Sequence, residues 1–352
     1  YMAHAGLLGQ NPTQLMAIYN LDTINHGNRL YYATVKHDSF PLLTIDVRPK
    51  RLIVGDCYDA LGMPTLCQQI VVQYRTNVSD SAKLELRKEF AIDVIDSCVC
   101  GAIELWGMPD TLNQVEVEQF GTGTRSTTGS AKQRAELLSA DQNYPLLGGT
   151  AASFGQSPAF TQGTTNPSPT LVAIIDSGMD FDNPKLKDRV WVKSSEATPN
   201  GLDDDSDCEI DNAWGWNYLG RDNNTSDDHG HGTAVASVVG GYSSVNIMPN
   251  LTSNDEVAIV PYKYTNAAGQ GTVFHAACAV RHAADYRDPA AAGSEARVRV
   301  INASWGYYGA PCIVLENAIL YAGDQCDILM VTSAGNDGLN TSDTTSADTR
   351  HW

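Results

Sequence analysis

From residue 171 onward, apolar positions fall in short, nearly continuous runs that alternate with longer stretches of helical spacing. The runs are LVAIIDSG (171–178), EVAIVPYKY (256–264), VRVINAS (298–304) and DILMVTSAGN (327–336). They read as strands, the first buried on both faces and closed by a turn signal. Between them, TAVASVVGG (233–241), TVFHAACAVRHAADY (272–286) and CIVLENAILYAGDQ (312–325) read as helices, with Thr272 placed to cap the second. Strand and helix in alternation specify an α/β fold: a parallel sheet with helices on both faces. In such sheets chemistry gathers beyond the carboxyl ends of the strands.

The N-terminal half has a different rhythm. IVVQYRTN (70–77) reads as a strand, and SDSAKLELRKEF (79–90) as an amphipathic helix starting near Ser79 or Asp80. IDVIDSCV (92–99) and AIELWGM (102–108) follow as strands joined at Gly101, and AKQRAELLSA (131–140) as a second helix before DQNYPLL. That order suits a small α+β ferredoxin-like domain. The stretch GGTAASFGQSPAFTQGTTNPSPT (148–170) has no charge and no apolar period, and reads as an exposed linker. The expected division is an N-terminal extension of unassigned fold (1–66), the small α+β domain (67–147), the linker (148–169) and an α/β domain (170–352).

Composition narrows the function classes. The 352 residues carry a net charge of −18, which disfavours nucleic acid because phosphate binding needs a basic stripe. No run approaches the roughly 18 apolar residues of a membrane span. The first twenty residues lack the charged start and apolar core of a signal peptide, so the chain is either cytosolic or a secreted protein whose signal is gone. Eight cysteines are too few for a disulfide scaffold. Cys57 and Cys67 are close enough in sequence to bridge; Cys98 and Cys100 share one face of a strand and are not expected to bond each other. Cys312 and Cys326 bracket a helix that would hold them roughly 20 Å apart at 1.5 Å per residue, too far for a bond.

Three polar positions sit at strand ends or helix starts. Asp176 closes LVAIIDSG, where a carboxylate either caps the turn or faces a site. His231 stands between Gly230 and Gly232 at a helix start, where glycine lets backbone approach and leaves the imidazole uncrowded. Asn336, in SAGND, suits either a turn tolerant of positive φ or an amide donor aimed at an oxyanion. The loop NGLDDDSDCEIDNAWGWNY (200–218) puts Asp203, Asp205, Asp207 and Asp211 at relative positions 1, 3, 5 and 9, with the Glu209 carbonyl at 7. Alternate carboxylates of this kind converge on a hard cation, here Ca2+, although Cys208 and Trp214 replace the usual glycine and bidentate glutamate. A solvated acidic loop is the plainer reading.

IIDSGMD, HGTAVAS, INASWG and SAGND, in this order on alternating elements, resemble the subtilisin-like serine peptidases, the subtilases. The resemblance covers roughly residues 170–352. It implies that Asp176 is the triad aspartate, His231 the general base, preferred over His229 because Gly-Thr follows it directly, and Asn336 the oxyanion donor. It also implies that Ser304, Trp305 and Gly306 pair with an extended peptide substrate, and that Ser333, Ala334 and Gly335 form a wall of the primary specificity pocket. Acidic insertions between the triad Asp and His bind calcium in many members.

Ala234 stands where many relatives have a second His, a neutral departure. The nucleophile motif, Gly-Thr-Ser followed by small residues, should come after Asn336 and is not found before Trp352. GGTAASFG (148–155) mimics it with Ala151 but precedes Asp176 in the linker. The expectation is therefore a proenzyme of a serine endopeptidase whose Ser lies beyond this chain's end or on a second chain. The α+β domain would be its propeptide, acting as an intramolecular inhibitor, and the protein would be secreted or extracytoplasmic, acting on peptides or proteins. The rival is a pseudopeptidase or calcium-bound scaffold without the nucleophile.

Overall fold

The computed structural model describes residues 29–31, 49–51, 57–59, 63–109, 136–148, 169–184, 186–240, 257–288, 296–309, 311–335 and 350–351. By contacts the chain divides into Tyr1–Val54 and Gly55–Trp352. In the first unit, β1 (Arg29–Tyr31) pairs antiparallel with β2 (Pro49–Arg51).

The second unit opens with a hairpin, β3 (Cys57–Tyr58) and β4 (Pro64–Thr65), closed by the Cys57–Cys67 disulfide. Next come β5 (Gln69–Tyr74), α1 (Asp80–Glu89), β6 (Asp93–Cys98), β7 (Ile103–Gly107) and β8 (Leu137–Gln142). Ser79 caps α1 by accepting from the Ala82 N–H at 3.2 Å. The four strands form one antiparallel sheet in the order β6-β7-β5-β8. Leu137–Gln142 corrects the expected helix over 131–140. Its apolar residues fit either period, and pairing with β5 satisfies its backbone while Leu137 and Ala140 join Ile70, Val72, Trp106 and Leu86 of α1 in one core. Residues 131–135 lie outside the described residues.

Strand β9 (Pro145–Gly148) leaves this sheet and enters another. Along the rest of the chain run β10 (Thr170–Asp176), β11 (Trp216–Asn217), α2 (His231–Val239), β12 (Val257–Lys263), β13 (Gln270–Thr272) and α3 (Val273–Asp285). They are followed by β14 (Arg287–Asp288), β15 (Ala296–Ala303), β16 (Trp305–Tyr308), α4 (Ile313–Leu320), β17 (Leu329–Thr332) and β18 (Arg350–His351). Thr272 caps α3, accepting from the His275 N–H at 3.3 Å. Strands β11, β12, β10, β15 and β17 lie side by side and parallel, while β14 adds antiparallel to the start of β15.

The alternation along β10 explains the layers. Leu171, Ala173 and Ile175 face a core shared with α3 and α4, while Val172 and Ile174 face one shared with Ala236 of α2. Helices therefore cover both faces of an α/β sheet, as the apolar runs predict. The antiparallel sheet of β5 to β8 is also two-faced. Val71, Cys98, Ile103 and Leu105 join the core that holds α3 and α4, opposite the face covered by α1. Among the described residues no helix is long and apolar enough to cross a membrane.

Candidate active site

Asp176 and His231 come from elements that end and begin at the same edge of the sheet. Asp176 is the last residue of β10 and His231 the first of α2. His231 Nδ1 lies 2.9 Å from both Asp176 carboxylate oxygens, one of which also accepts from the Ser177 N–H at 2.7 Å. Glycine permits this approach. A Cβ at Gly232 would stand 2.2 Å from the Gly178 carbonyl oxygen, and Gly178 itself holds φ at +105° against Thr225. The buried carboxylate fixes the Nδ1–H tautomer, leaving Nε2, which has no partner among the described residues, as the basic nitrogen. The Asp176 hydrogen bond raises the His231 pKa above the ordinary imidazole value, outweighing burial. His229 points elsewhere: it is buried, its pKa is lowered by that burial, and its Nδ1 has no partner.

A second carboxylate, unmarked by the sequence reading, fastens the pair. Asp227 accepts five hydrogen bonds, from Ser177 Oγ, the His229, Gly230 and Thr233 N–H groups, and Thr233 Oγ1. Ser177 Oγ in turn accepts from the Gly232 N–H at 2.9 Å. The first turn of α2 is thereby tied to the residue after Asp176. The available signal was an aspartate four residues before a helix-starting histidine, near enough for its carboxylate to accept from the open N–H groups of the helix start.

Of the residues expected to meet substrate, Trp305 and Gly306 lie in β16, and their backbone is already paired. Gly148 stands opposite Trp305 and Leu147 opposite Gly306, antiparallel. On its other edge β9 pairs with β13, Leu146 opposite Gly271. The Trp305 side chain is buried, stacks near Tyr264 and donates to the Ile175 carbonyl at 3.1 Å, so it anchors β16 beside the Asp176 strand. Ser304 Oγ accepts from Asn302 Nδ2 at 2.8 Å. Ser333, Ala334 and Gly335 follow β17 at the same edge, Gly335 with φ +82°. Asn336 lies outside the described residues.

The acidic loop is ordered differently from the 1-3-5-7-9 pattern. Asp203 and Asp205 converge with Glu196, each offering an oxygen within 4.8 Å of the others. Glu196 is 0% exposed; its Oε1 accepts from the Asp204 N–H, and its Oε2 has no hydrogen-bond partner. An orphaned buried carboxylate oxygen beside two more carboxylates is the donor chemistry of a hard cation. Lys193, which is buried, reaches into the same cluster by pairing with Asp205 and Asp207. Asp207 faces Lys193 and His282, and its pKa is held low by them. Asp211 accepts from the Asn200 and Gly201 N–H groups. Glu209 lines a cavity with Asp96, Cys100 and Arg221, where burial pushes its pKa up to about 8. Glu196 could not be singled out in sequence because it lies seven residues before the acidic run.

Sequence comparison places the chain among known proteins. The Subtilisin-like protease 1 of Plasmodium berghei (strain Anka) is 33% identical over 88 residues, 24% of this chain and 15% of that protein. The Cell wall-associated protease of Bacillus subtilis (strain 168) is 32% identical over 176 residues, 49% of this chain and 15% of that protein. The chain thus matches only about a seventh of the length of either relative. Among solved structures, fervidolysin from Fervidobacterium pennivorans, described as a keratinolytic enzyme related to subtilisin, is 18% identical with a TM-score of 0.47, covering 82% of this chain and 42% of its own. The sequence model of the Subtilase family matches residues 168–352, more than half of the chain and the whole of the parallel sheet, from β10 through β17. With the Asp176 strand, the His231 helix and the β16 edge all inside that match, the chain belongs to the Subtilase family.

Proposed function

We propose that this chain is the proenzyme form of a serine endopeptidase that cleaves peptide bonds with an Asp-His-Ser triad. The observation that carries the reading is the Asp176–His231 pair, with Nδ1 committed to a buried carboxylate and Nε2 left unpartnered. In that role His231 Nε2 takes the proton of a serine Oγ as it attacks the scissile carbonyl, and returns it to the leaving amine. Asp176 holds the tautomer and stabilises the imidazolium. Asn336 donates to the developing oxyanion, worth about 3–4 kcal/mol in this class, a figure that comes from subtilisin itself. The serine is assigned to residues beyond Trp352 or to a second chain.

Residues 67–147 act as the propeptide. Support comes from the antiparallel order β6-β7-β5-β8, with α1 on one face, and from β9, which lies between β13 and β16 where an extended substrate would pair. A cut in the 148–169 linker matures the enzyme. Calcium binds Glu196, Asp203 and Asp205, neutralising their charge and bracing the chain between β10 and α2. Disulfides at Cys57–Cys67, Cys98–Cys278 and Cys100–Cys208 fit an oxidising, extracytoplasmic setting. The test is a serine-directed fluorophosphonate probe on the intact protein after linker cleavage. Labelling that disappears in His231→Ala supports the peptidase; absence of labelling in the wild type sinks it in favour of a non-catalytic scaffold.

A further inference from the structure

Two covalent bonds join the α+β domain to the α/β domain. Cys98, the last residue of β6, is bonded to Cys278 in the middle of α3, with Cα atoms 5.8 Å apart across 180 residues of sequence. Cys100, in the next turn, is bonded to Cys208 of the acidic loop, with Cα atoms 5.5 Å apart across 108 residues. Both bridges span the linker, so cutting the chain between Gly148 and Thr170 leaves the two domains in one molecule.

We infer that the α+β domain is a tethered inhibitor: linker cleavage alone does not free the cleft, and thiol–disulfide exchange must act on the cleaved product before substrate enters. This rests on the propeptide reading above. The non-covalent contacts explain why tethering matters. Asp141 accepts from the Val314 N–H at the start of α4, Asn143 accepts from the Phe274 N–H at the start of α3, and Asn317 donates to Gln73. Arg221 pairs with Asp96 across the same face. Contacts of this kind are lost on dilution when a cut prosegment is free to diffuse. A tether keeps it at an effective concentration of millimolar order, so β9 rebinds faster than substrate can compete.

The bridges differ in access. Cys100 and Cys208 are both exposed, whereas Cys98 is 6% and Cys278 0% exposed, inside the core that the two domains share. Exchange therefore starts at Cys100–Cys208 and reaches Cys98–Cys278 only once the domain lifts. At each bridge, one thiolate of a dithiol attacks a cystine sulfur and forms a mixed disulfide. The second thiol closes the dithiol into a cyclic disulfide and leaves two cysteine thiols. The dithiol loses two electrons and two protons and the cystine gains them, so release consumes two dithiols per molecule.

The experiment places a site-specific protease sequence between Gly148 and Thr170 of the intact protein, cuts it, and follows both electrophoresis and cleavage of an extended fluorogenic peptide. Wild type should run as one species without reductant and two with dithiothreitol. Its peptidase activity should rise on the order of a hundredfold only after reduction. A variant carrying Cys98→Ser, Cys100→Ser, Cys208→Ser and Cys278→Ser should gain that activity on cutting and dilution with no reductant. The wild-type comparison stands even where this variant fails to fold. Fragments that separate without reductant overturn the tether. Activity without reductant overturns the need for exchange, including activity that follows a second cut within residues 110–135, which would free β8 and β9 together. Linked fragments whose reductive separation brings no activity, in wild type and variant alike, leave the tether standing and overturn the inhibitor reading.

Discussion

Among the described residues stand two Asp–His pairs of nearly equal length and opposite character. Asp176 and His231 meet at 2.9 Å, Asp207 and His282 at 3.0 Å. In the first, the carboxylate is buried while the imidazole remains 19% exposed with Nε2 unpartnered. In the second, both ring nitrogens are occupied. Nε2 faces Asp207 and Nδ1 lies 2.8 Å from the Tyr218 hydroxyl, in a ring that is 7% exposed. Lys193 already neutralises Asp207, so His282 completes a closed network rather than a reactive one. A short carboxylate–imidazole contact therefore does not define a base. The second nitrogen does, and so does its path to solvent.

The sharpest way to break this contrast is to remove each imidazole. His231→Ala should lower peptidase kcat by at least about 10⁴-fold with little change in melting temperature. His282→Ala should keep the activity but destabilise by about 1–3 kcal/mol, because Tyr218 and Asp207 lose a buried partner. Equal losses of activity in the two variants would erase the distinction. Thermal melts and steady-state kinetics read both.

Asp176→Asn should cost about 10⁴-fold in kcat by stabilising the wrong tautomer. It should also move the acid limb of the pH–rate profile. Asp176 raises the His231 pKa, so wild type loses activity as pH falls through a value above the ordinary imidazole range. Without that carboxylate the limb should shift to lower pH. An unmoved limb would mean that another group controls it.

Chelation tests the loop that carries the second pair. On the proposed calcium site at Glu196, Asp203 and Asp205, chelation should lower the melting temperature by several degrees, corresponding to about 2.7 kcal/mol for an ion held at a hundred times its Kd. The Glu196→Gln variant should respond less. An unchanged melt would leave Lys193 as the loop's own cation.

The smallest effect concerns a half-buried carboxylate with no imidazole. Burial raises the Asp141 pKa to about 6, despite the backbone donors of α4. A raised carboxyl pKa favours the protonated folded form. This contribution is therefore complete below the unfolded value near 4 and lost as pH rises through about 6. Asp141→Asn should flatten stability between those limits, a change read by urea melts at pH 4, 5, 6 and 7. A slope as steep as wild type's would exclude Asp141 as its source.

Much of the C-terminal half was legible because its signals are local. LVAIIDSG has no polar face to expose, so it must be buried on both sides, and the turn after it must sit at a sheet edge. Gly232 follows His231 because the helix start and the β10 exit approach closely, and Gly230 precedes it because the chain enters α2 with φ +95°. Within AKQRAELLSA the spacing predicts a helix, yet Leu137–Ala140 pair as a strand, because their apolar residues satisfy both periods and an open edge of β5 decided between them. Glu196, Asp227 and Lys193 were invisible for a different reason. Their partners lie across loops, where spacing carries no information about distance.

The sequence by itself determined the alternation of strand and helix, the acidic surplus, and the order of Asp176, His231 and the Ser304–Gly306 edge, because each depends on residues within one element or its turn. Tertiary structure alone decided which of the two Asp–His pairs leaves its second nitrogen open and which carboxylates converge. It also decided that Cys98 and Cys100, neighbours on one strand end, reach different partners, Cys278 of α3 and Cys208 of the acidic loop. Periodicity determines which face of an element is buried, but only the packed fold determines what that face meets.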